Sequence, residues 1–249
     1  MKISELKNKK IFHVWMIIAI ILLILIIAGI IMLRYQVEGE SDNNLPFEIS
    51  KMIVVSTAEG QEIEANDDTK WNFSVNQEND IYISINKNEE YKRKASIKSL
   101  SFENINIQKT EGTENIKLYR SNDKGEISEE DKYLVQNYVT YEGEKEADLE
   151  NLKISNQGGV LVFRSVNENV CEVRSNDDEI THDGTLLAKG NVDAENLKYT
   201  LNFDIVIETN KGIKYRGTVS IDLPEGNILE EGKGQIEKTD FSDIIFKRE

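Results

Sequence analysis

From Met16 to Leu33 the chain reads MIIAIILLILIIAGIIML, eighteen residues with no charged or hydrogen-bonding side chain beyond the methionine thioethers. As a helix rising about 1.5 Å per residue, this run spans roughly 27 Å, close to the hydrocarbon thickness of a bilayer. Helices buried in a protein core are seldom apolar on every face over such a length. A cleaved secretory leader has a shorter apolar region, about 7–15 residues, ending at a small-x-small site. Here Ala28-Gly29 is followed by Ile30, Ile31, Met32 and Leu33. The pattern predicts one uncleaved transmembrane anchor over residues 11–33.

Its flanks orient it. Lys2, Lys7, Lys9 and Lys10 against Glu5 give the first 33 residues a charge of +3, whereas Arg34 stands alone before Glu38, Glu40 and Asp42. The positive-inside rule predicts a cytoplasmic amino-terminal segment over 1–10, with the bulk of the chain outside the plasma membrane. Phe12, His13, Trp15 and Tyr35 fall at the two interfaces. The only cysteine, Cys171, is too distant to carry a lipid beside the run. Ala19, Ala28 and Gly29 lack the four-residue spacing of a tight helix-pairing face. The helix reads as a plain tether.

Residues 34–48 are polar, acidic and interrupted by Pro46, and they read as a stalk. The remainder, 49–249, turns to alternation of period two. Ile81, Ile83 and Ile85 alternate with Tyr82, Ser84 and Asn86; Tyr199, Leu201, Phe203, Ile205 and Ile207 share one face; Ile213, Tyr215, Val219 and Ile221 share another. Such patterns mark half-buried strands. Thr209-Asn210-Lys211-Gly212 between the last two predicts a hairpin turn. Further strands are expected near 50–56, 71–77, 96–108, 115–121, 152–155, 159–166, 170–174 and 241–247. VLVF at 160–163 reads as a strand covered on both faces, and 129–141 as a short helix or a strand. No long amphipathic helix follows residue 34. The expected fold is all-β, an antiparallel β-sandwich of jelly-roll or immunoglobulin-like type. The charged stretch 142–150 is either a loop inside one sandwich or a split between two domains.

Composition narrows the function classes. With 39% hydrophobic residues the chain can build a core, so its net charge of −15 does not signal a disordered polyacid. That acidity excludes a nucleic-acid partner, because phosphate binding rests on clustered Lys and Arg. The Lys-, Asn-, Ile- and Glu-rich, Pro-poor usage resembles that of a low-GC bacterium. Cys171 and His182 form the only Cys–His combination beyond the anchor. They lack the order seen in sortases, where the histidine lies well upstream of the cysteine, so Cys171 reads as a small strand residue. His182, in Ile180-Thr181-His182-Asp183-Gly184-Thr185, has no nucleophile elbow to serve and reads as a turn residue.

No catalytic residue and no cofactor-binding residue is assigned. Asn66-Asp67-Asp68, Asn122-Asp123 and Asn176-Asp177-Asp178-Glu179 offer oxygen ligands in loops suited to calcium, although none has the EF-hand spacing. Trp71, spaced with Phe73 and Val75, is expected to point into the core; Tyr133, Tyr138 and Tyr141 form the densest aromatic group. The sequence therefore predicts a non-catalytic structural or interaction subunit of a bacterial cell-envelope assembly, with the membrane and an envelope or surface protein as partners. The alternative is a surface domain that binds calcium or a glycan.

Overall fold

The computed structural model describes residues 15–31, 45–64, 68–109, 114–122, 124–145, 152–179 and 186–249. Residues 15–31 form helix α1, whose aliphatic side chains are exposed on every face. Among the described residues, no helix is long and apolar enough to cross a membrane; α1 as described extends about 25 Å. The ends of the predicted span, 11–14 and 32–33, the segment 1–10 and the stalk residues 34–44 lie outside the described residues.

The last stalk residues belong to the β fold instead. Leu45 and Phe47 are buried, and strand β1 (Phe47–Glu62) starts at Phe47. The reason is visible in LPFEI, where Leu45, Phe47 and Ile49 alternate toward one face and all enter the core.

Ten further strands follow: β2 (Trp71–Lys87), β3 (Ile97–Lys109), β4 (Ile116–Arg120), β5 (Val139–Gly143), β6 (Lys153–Ile154), β7 (Gly158–Ser175), β8 (Tyr199–Thr209), β9 (Lys214–Leu223), β10 (Lys233–Lys238) and β11 (Lys247–Arg248). They build two sheets, ordered β10-β1-β2-β7-β4 and β11-β9-β8-β3-β5-β6. Every pairing is antiparallel except the two-residue β5–β6 contact, which is parallel. The sheets face one another: Phe102 of β3 meets Phe163 of β7 edge-to-face with ring centroids 4.5 Å apart. The molecule is an all-β sandwich. Strands on either side of 142–150 share both sheets, since β7 pairs with β2 and β4, and β8 pairs with β3.

The predicted hairpin is present. Tyr199–Glu208 runs in register against Leu223–Lys214, and Gly212 takes a left-handed φ of 74° at the turn. Elsewhere the strands are longer than their apolar patterns. The stretches read separately at 71–77 and 81–86 form one strand, β2, and those at 159–166 and 170–174 form β7. Polar side chains join the pieces. On the inward face, Ile81, Ile83 and Ile85 give way to Asn79 and Gln77, while Phe163 gives way to Ser165 and Asn167; all four polar residues are buried. Ser56 Oγ donates to Asn79 Oδ1 at 2.6 Å, Asn79 Nδ2 donates to the Tyr199 hydroxyl at 2.7 Å, and that hydroxyl bonds Ser165 Oγ at 2.7 Å. A hydrogen-bonded layer of this kind lets polar groups sit inside at modest cost.

Beyond this layer the long strands of the first sheet carry a second, smaller core. Ala58, Val75 and Val173 pack there under Leu186 and Leu187 of α2 (Leu186–Lys189), Leu197 and Ile228 of α3 (Ile228–Glu231). The closing strand expected over 241–247 shrinks to β11. Ile244 and Phe246 still point into the main core, Phe246 lying flat over Gly217, but only Lys247 and Arg248 pair with β9. Residues 129–141 are divided between a 3-10 turn at Asp131–Tyr133 and β5. Val162 and Phe163 are buried, as VLVF suggested, whereas Val160 is exposed.

Candidate functional site

Two places concentrate chemistry. The first is on the outer face of the β1/β2/β7/β4 sheet, where alternation directs Glu78 and Asp80 of β2 and Arg164 of β7 outward together. Asp80 and Arg164 are cross-strand partners. Arg164 binds Asp80 through Nε–Oδ1 at 2.7 Å and Nη2–Oδ2 at 2.9 Å. Its Nη1 lies 2.6 Å from Glu78 Oε2 and 3.0 Å from Glu129 Oε1. One cation thus faces three carboxylates. Burial pushes the Glu78 carboxyl up to about 7; Arg164 opposes this, and the neighbouring charges of Glu129, Glu59 and Asp80 add to it. Glu129 belongs to the connection from β4 to β5, so the cluster pins that connection onto the sheet. Both guanidinium edges are committed to carboxylates, which suits a clamp better than a substrate contact.

A related arrangement lies on the outer face of the other sheet. Arg216 of β9 reaches Glu103 Oε2 at 2.8 Å, Asp204 Oδ2 at 3.1 Å and Glu249 Oε1 at 2.5 Å.

The second place is the flank where the two sheets end side by side. Beyond Phe163 toward its start, β7 has β2 on one side and, among the described residues, no strand on the other, because β4 pairs only as far as Phe163. Across the gap stand β5 and β6 of the opposite sheet. A cleft of about 380 Å³ opens here, lined by Ser121, Lys124, Tyr141, Lys153, Ile154 and Leu161 among others. Gly158, with φ of 116°, brings the chain so close to β2 that a Cβ would sit 2.1 Å from the Ile85 carbonyl oxygen. Gly159 admits Ile154 at van der Waals distance. Tyr141 is 5% exposed, and its hydroxyl is buried with no hydrogen-bond partner among the described residues. Burial pushes that hydroxyl up to about 12, so it stays a proton donor; Arg120 and Ser121 offset part of this, Ser121 without meeting hydrogen-bond geometry.

The residues singled out by sequence are scattered. His182, Asp183, Asp123, Asn66 and Asp67 lie outside the described residues. Cys171 is half-buried beside the second core, and a Cβ on Gly190 would come within 2.4 Å of its Sγ. Burial pushes its thiol up, away from the thiolate form a nucleophile requires. The side-chain oxygens of Asn122, Asn176, Asp177 and Asp178 are engaged. Asn122 Oδ1 accepts from the backbone N–H groups of Lys124 and Glu126. Asn176 Oδ1 accepts from Lys70 N, Asp177 Oδ2 from Ser175 Oγ, and Asp178 pairs with Lys70 Nζ at 2.6 Å. Among the described residues, no group of three or more His, Cys, Asp or Glu side chains could hold a metal ion.

Trp71 corrects its expected core position. It is half-buried at the start of β2, its ring parallel to Phe73 at 6.3 Å and its Nε1 donating to the Asp177 carbonyl at 3.0 Å. The indole N–H needs an acceptor, and the strand end supplies one where the sheet interior would not. The three tyrosines diverge: Tyr133 lies beneath Arg120 and Lys132, Tyr138 is exposed, and Tyr141 is buried. No aromatic platform forms from them.

Sequence reasoning missed Glu78, Arg164 and the buried hydroxyl of Tyr141. The available signal for the carboxylates was Gln-Glu-Asn-Asp at 77–80, which puts Glu78 and Asp80 on the face opposite the isoleucines; no local pattern marked Arg164. The chain matches no protein-family model and resembles no characterised protein closely enough to count as a relative.

Proposed function

We propose that this chain is a membrane-tethered, non-catalytic interaction subunit of a bacterial cell-envelope assembly, with α1 in the plasma membrane and the sandwich outside. The observation that carries the reading is α1 itself. Residues 15–31 are aliphatic or aromatic on all faces and exposed almost throughout, whereas the sandwich buries its own apolar residues between its sheets. An apolar surface of that extent needs an apolar medium, and the sequence stays uncharged on both sides of α1, from Ile11 to Leu33. The amino-terminal lysines favour the cytoplasmic side for that end.

A scaffolding role is supported by how the reactive groups are used. The Cys171 thiol is confined beside Gly190, and the Arg164 and Arg216 guanidinium groups are each committed to carboxylates of their own cluster. The sandwich also presents the outer side of β10 as a sheet edge, where Ile236 is exposed between Gln235 and Glu237.

The test is the native size and composition of the gently crosslinked, detergent-extracted full-length protein, alongside protease treatment of intact cells. Defined companions in a large species, recovered from the membrane fraction, are the expected result. Recovery in the soluble fraction would overturn the tether, and a lone monomer or homodimer would overturn the assembly.

A further inference from the structure

The first sheet ends at β10, and strand parity fixes which backbone groups that end leaves over. The Ala58 N–H donates to the Gly232 carbonyl at 3.1 Å, on the register that pairs Ser56 with Gly234 and Val54 with Ile236. Bonded and non-bonded pairs alternate along an antiparallel ladder. Gly234, Ile236 and Lys238 therefore bond β1, while the N–H and C=O groups of Lys233, Gln235 and Glu237 point away from it. The same phase holds at the far side of the sheet, where Ser121 N–H donates to the Val162 carbonyl and Glu168 N–H to the Asn115 carbonyl. Among the described residues, nothing pairs with the outward groups of β10.

The other sheet ends are shorter or covered. Strands β6 and β11 have two residues each, and on β4 the Leu118 carbonyl accepts from Val135 N–H beside the Tyr119–Leu134 bridge. Strand β10 has six residues, reads KGQIEK without proline, and exposes Lys233, Gln235, Ile236 and Glu237. Glu225 and Gly226 cross Gly234 on the inward face and leave the edge itself open. An open edge of this kind accepts another strand.

The strand that fits is a second β10. Set antiparallel and centred on Gln235, it brings Lys233 opposite Glu237, Gln235 opposite Gln235 and Glu237 opposite Lys233. All three outward residues then form bonded pairs, each exchanging both backbone bonds. A centre at Gly234 or Ile236 keeps only two such pairs within the strand and loses the Lys–Glu match. A centre between two residues would oppose outward groups to inward ones. Edge lysines commonly discourage association; here Lys233 meets a carboxylate, and β10 carries two lysines against one glutamate in a chain of net charge −15. On the inward face Ile236, 42% exposed, falls opposite Gly234 of the second copy and beside the backbone that crosses it.

We propose that two copies of this chain join through β10, antiparallel about Gln235, so that their two five-stranded sheets become one continuous sheet. The pairing needs neither the tether nor further companions. A two-copy unit inside a larger species agrees with both readings, a two-copy unit alone keeps this one and overturns the assembly, and a large species with β10 unpaired does the reverse.

The experiment uses the full-length chain in detergent micelles and reads self-association by sedimentation equilibrium over a concentration series. Wild type is expected to dimerise. Lys233→Glu and Glu237→Lys each set like charges opposite one another twice and should weaken the dimer about tenfold. An equimolar mixture of the two variants restores both Lys–Glu pairs and should return the dimer to near wild-type strength. The Lys51–Glu237 pair that Glu237→Lys also removes is exposed and contributes little. Gln235→Pro removes an N–H that β1 does not use, so it should leave the melting temperature nearly unchanged and abolish the dimer. Oxidative trapping reads the register, with wild type, which has Cys171 alone, as the blank. Gln235→Cys should cross-link to itself. Lys233→Cys should cross-link to Glu237→Cys but not to itself, because the two 233 positions stand about 14 Å apart. A monomeric wild type, a dimer indifferent to Gln235→Pro, or a mixture of charge variants no stronger than either alone would each overturn the pairing. Self-trapping of Lys233→Cys without trapping through Gln235→Cys would overturn the register. If Gln235→Pro folds poorly, the charge variants decide.

Discussion

Arg164 and Asp80 stand directly opposite one another on β7 and β2 and lock as a two-pronged pair, with both contacts below 3 Å. Glu78 and Glu129 then share the remaining Nη1 edge. The sheet therefore carries an excess of negative charge at a half-buried point, held in place by one guanidinium.

Removing that guanidinium should be expensive. Arg164→Met leaves Glu78, Asp80 and Glu129 facing each other without a counter-charge, and breaking a buried pair from one side costs about 3–5 kcal/mol. Because the Arg164 side chain is 23% exposed, a loss near the lower end, about 3 kcal/mol, is expected in denaturant unfolding. A loss under about 1 kcal/mol would mean that solvent already screens the cluster.

Glu78 makes stability depend on pH in a defined direction. Its folded-state value near 7 lies above the ordinary 4.5, so the folded chain holds this proton more tightly than the unfolded chain. The contribution is complete below pH 4.5 and is lost as pH rises through 7. Glu78→Gln imitates the protonated carboxyl at every pH. Its stability relative to wild type should therefore be close to zero at pH 4.5 and rise by about 3 kcal/mol by pH 8. Melting curves of both proteins from pH 4.5 to 8 provide the check, and a constant difference across that range would rule out the raised value.

What the sequence made legible follows from where each strand is buried. Tyr199 to Ile207 alternates cleanly because one face meets the core and the other meets water, and the turn residues at 209–212 close the hairpin. Across 76–80, Asn-Gln-Glu-Asn-Asp hides β2, because its inward positions bond to side chains from distant strands. Lys233–Lys238 escapes for the opposite reason: as a sheet edge it has one large apolar residue, Ile236, and that residue is exposed. The candidate sites were less legible still. Arg164 meets Asp80 across 84 positions of sequence, and only strand register brings them together. The Tyr141 hydroxyl is defined by the missing partner of a buried group, which no local pattern records.

The polar layer between the two cores predicts a further cost. Tyr199→Phe removes one oxygen and leaves Asn79 Nδ2 without its acceptor and Ser165 Oγ without that partner, both in buried residues. An unsatisfied buried donor costs about 1–3 kcal/mol, so a destabilisation of about 2 kcal/mol is expected despite the near-identical shape. Combining it with Asn79→Ala should cost less than the sum of the two single changes, because the partners belong to one network. Strict additivity in that double-mutant cycle would show that the two groups are not coupled.

Gly158 and Gly212 both take positive φ, yet they should respond very differently to alanine. At Gly212 a Cβ meets nothing within 4 Å, so Gly212→Ala bears only the left-handed backbone strain, about 1 kcal/mol. At Gly158 the φ of 116° lies outside the ordinary left-handed basin, and the added carbon would sit 2.1 Å from the Ile85 carbonyl oxygen. Neither backbone can retreat freely, because Gly158 and Gly159 are paired with Asn86 and Ile85 in the β2–β7 ladder. Gly158→Ala should therefore cost about 3 kcal/mol or more and expose the Asn86–Gly158 end of the ladder to amide exchange. Hydrogen exchange at Ile85 and Gly159, compared with the hairpin amides around Gly212, separates the two cases. Equal protection and equal stability in the two variants would mean that the start of β7 does not approach β2 as closely as this geometry requires.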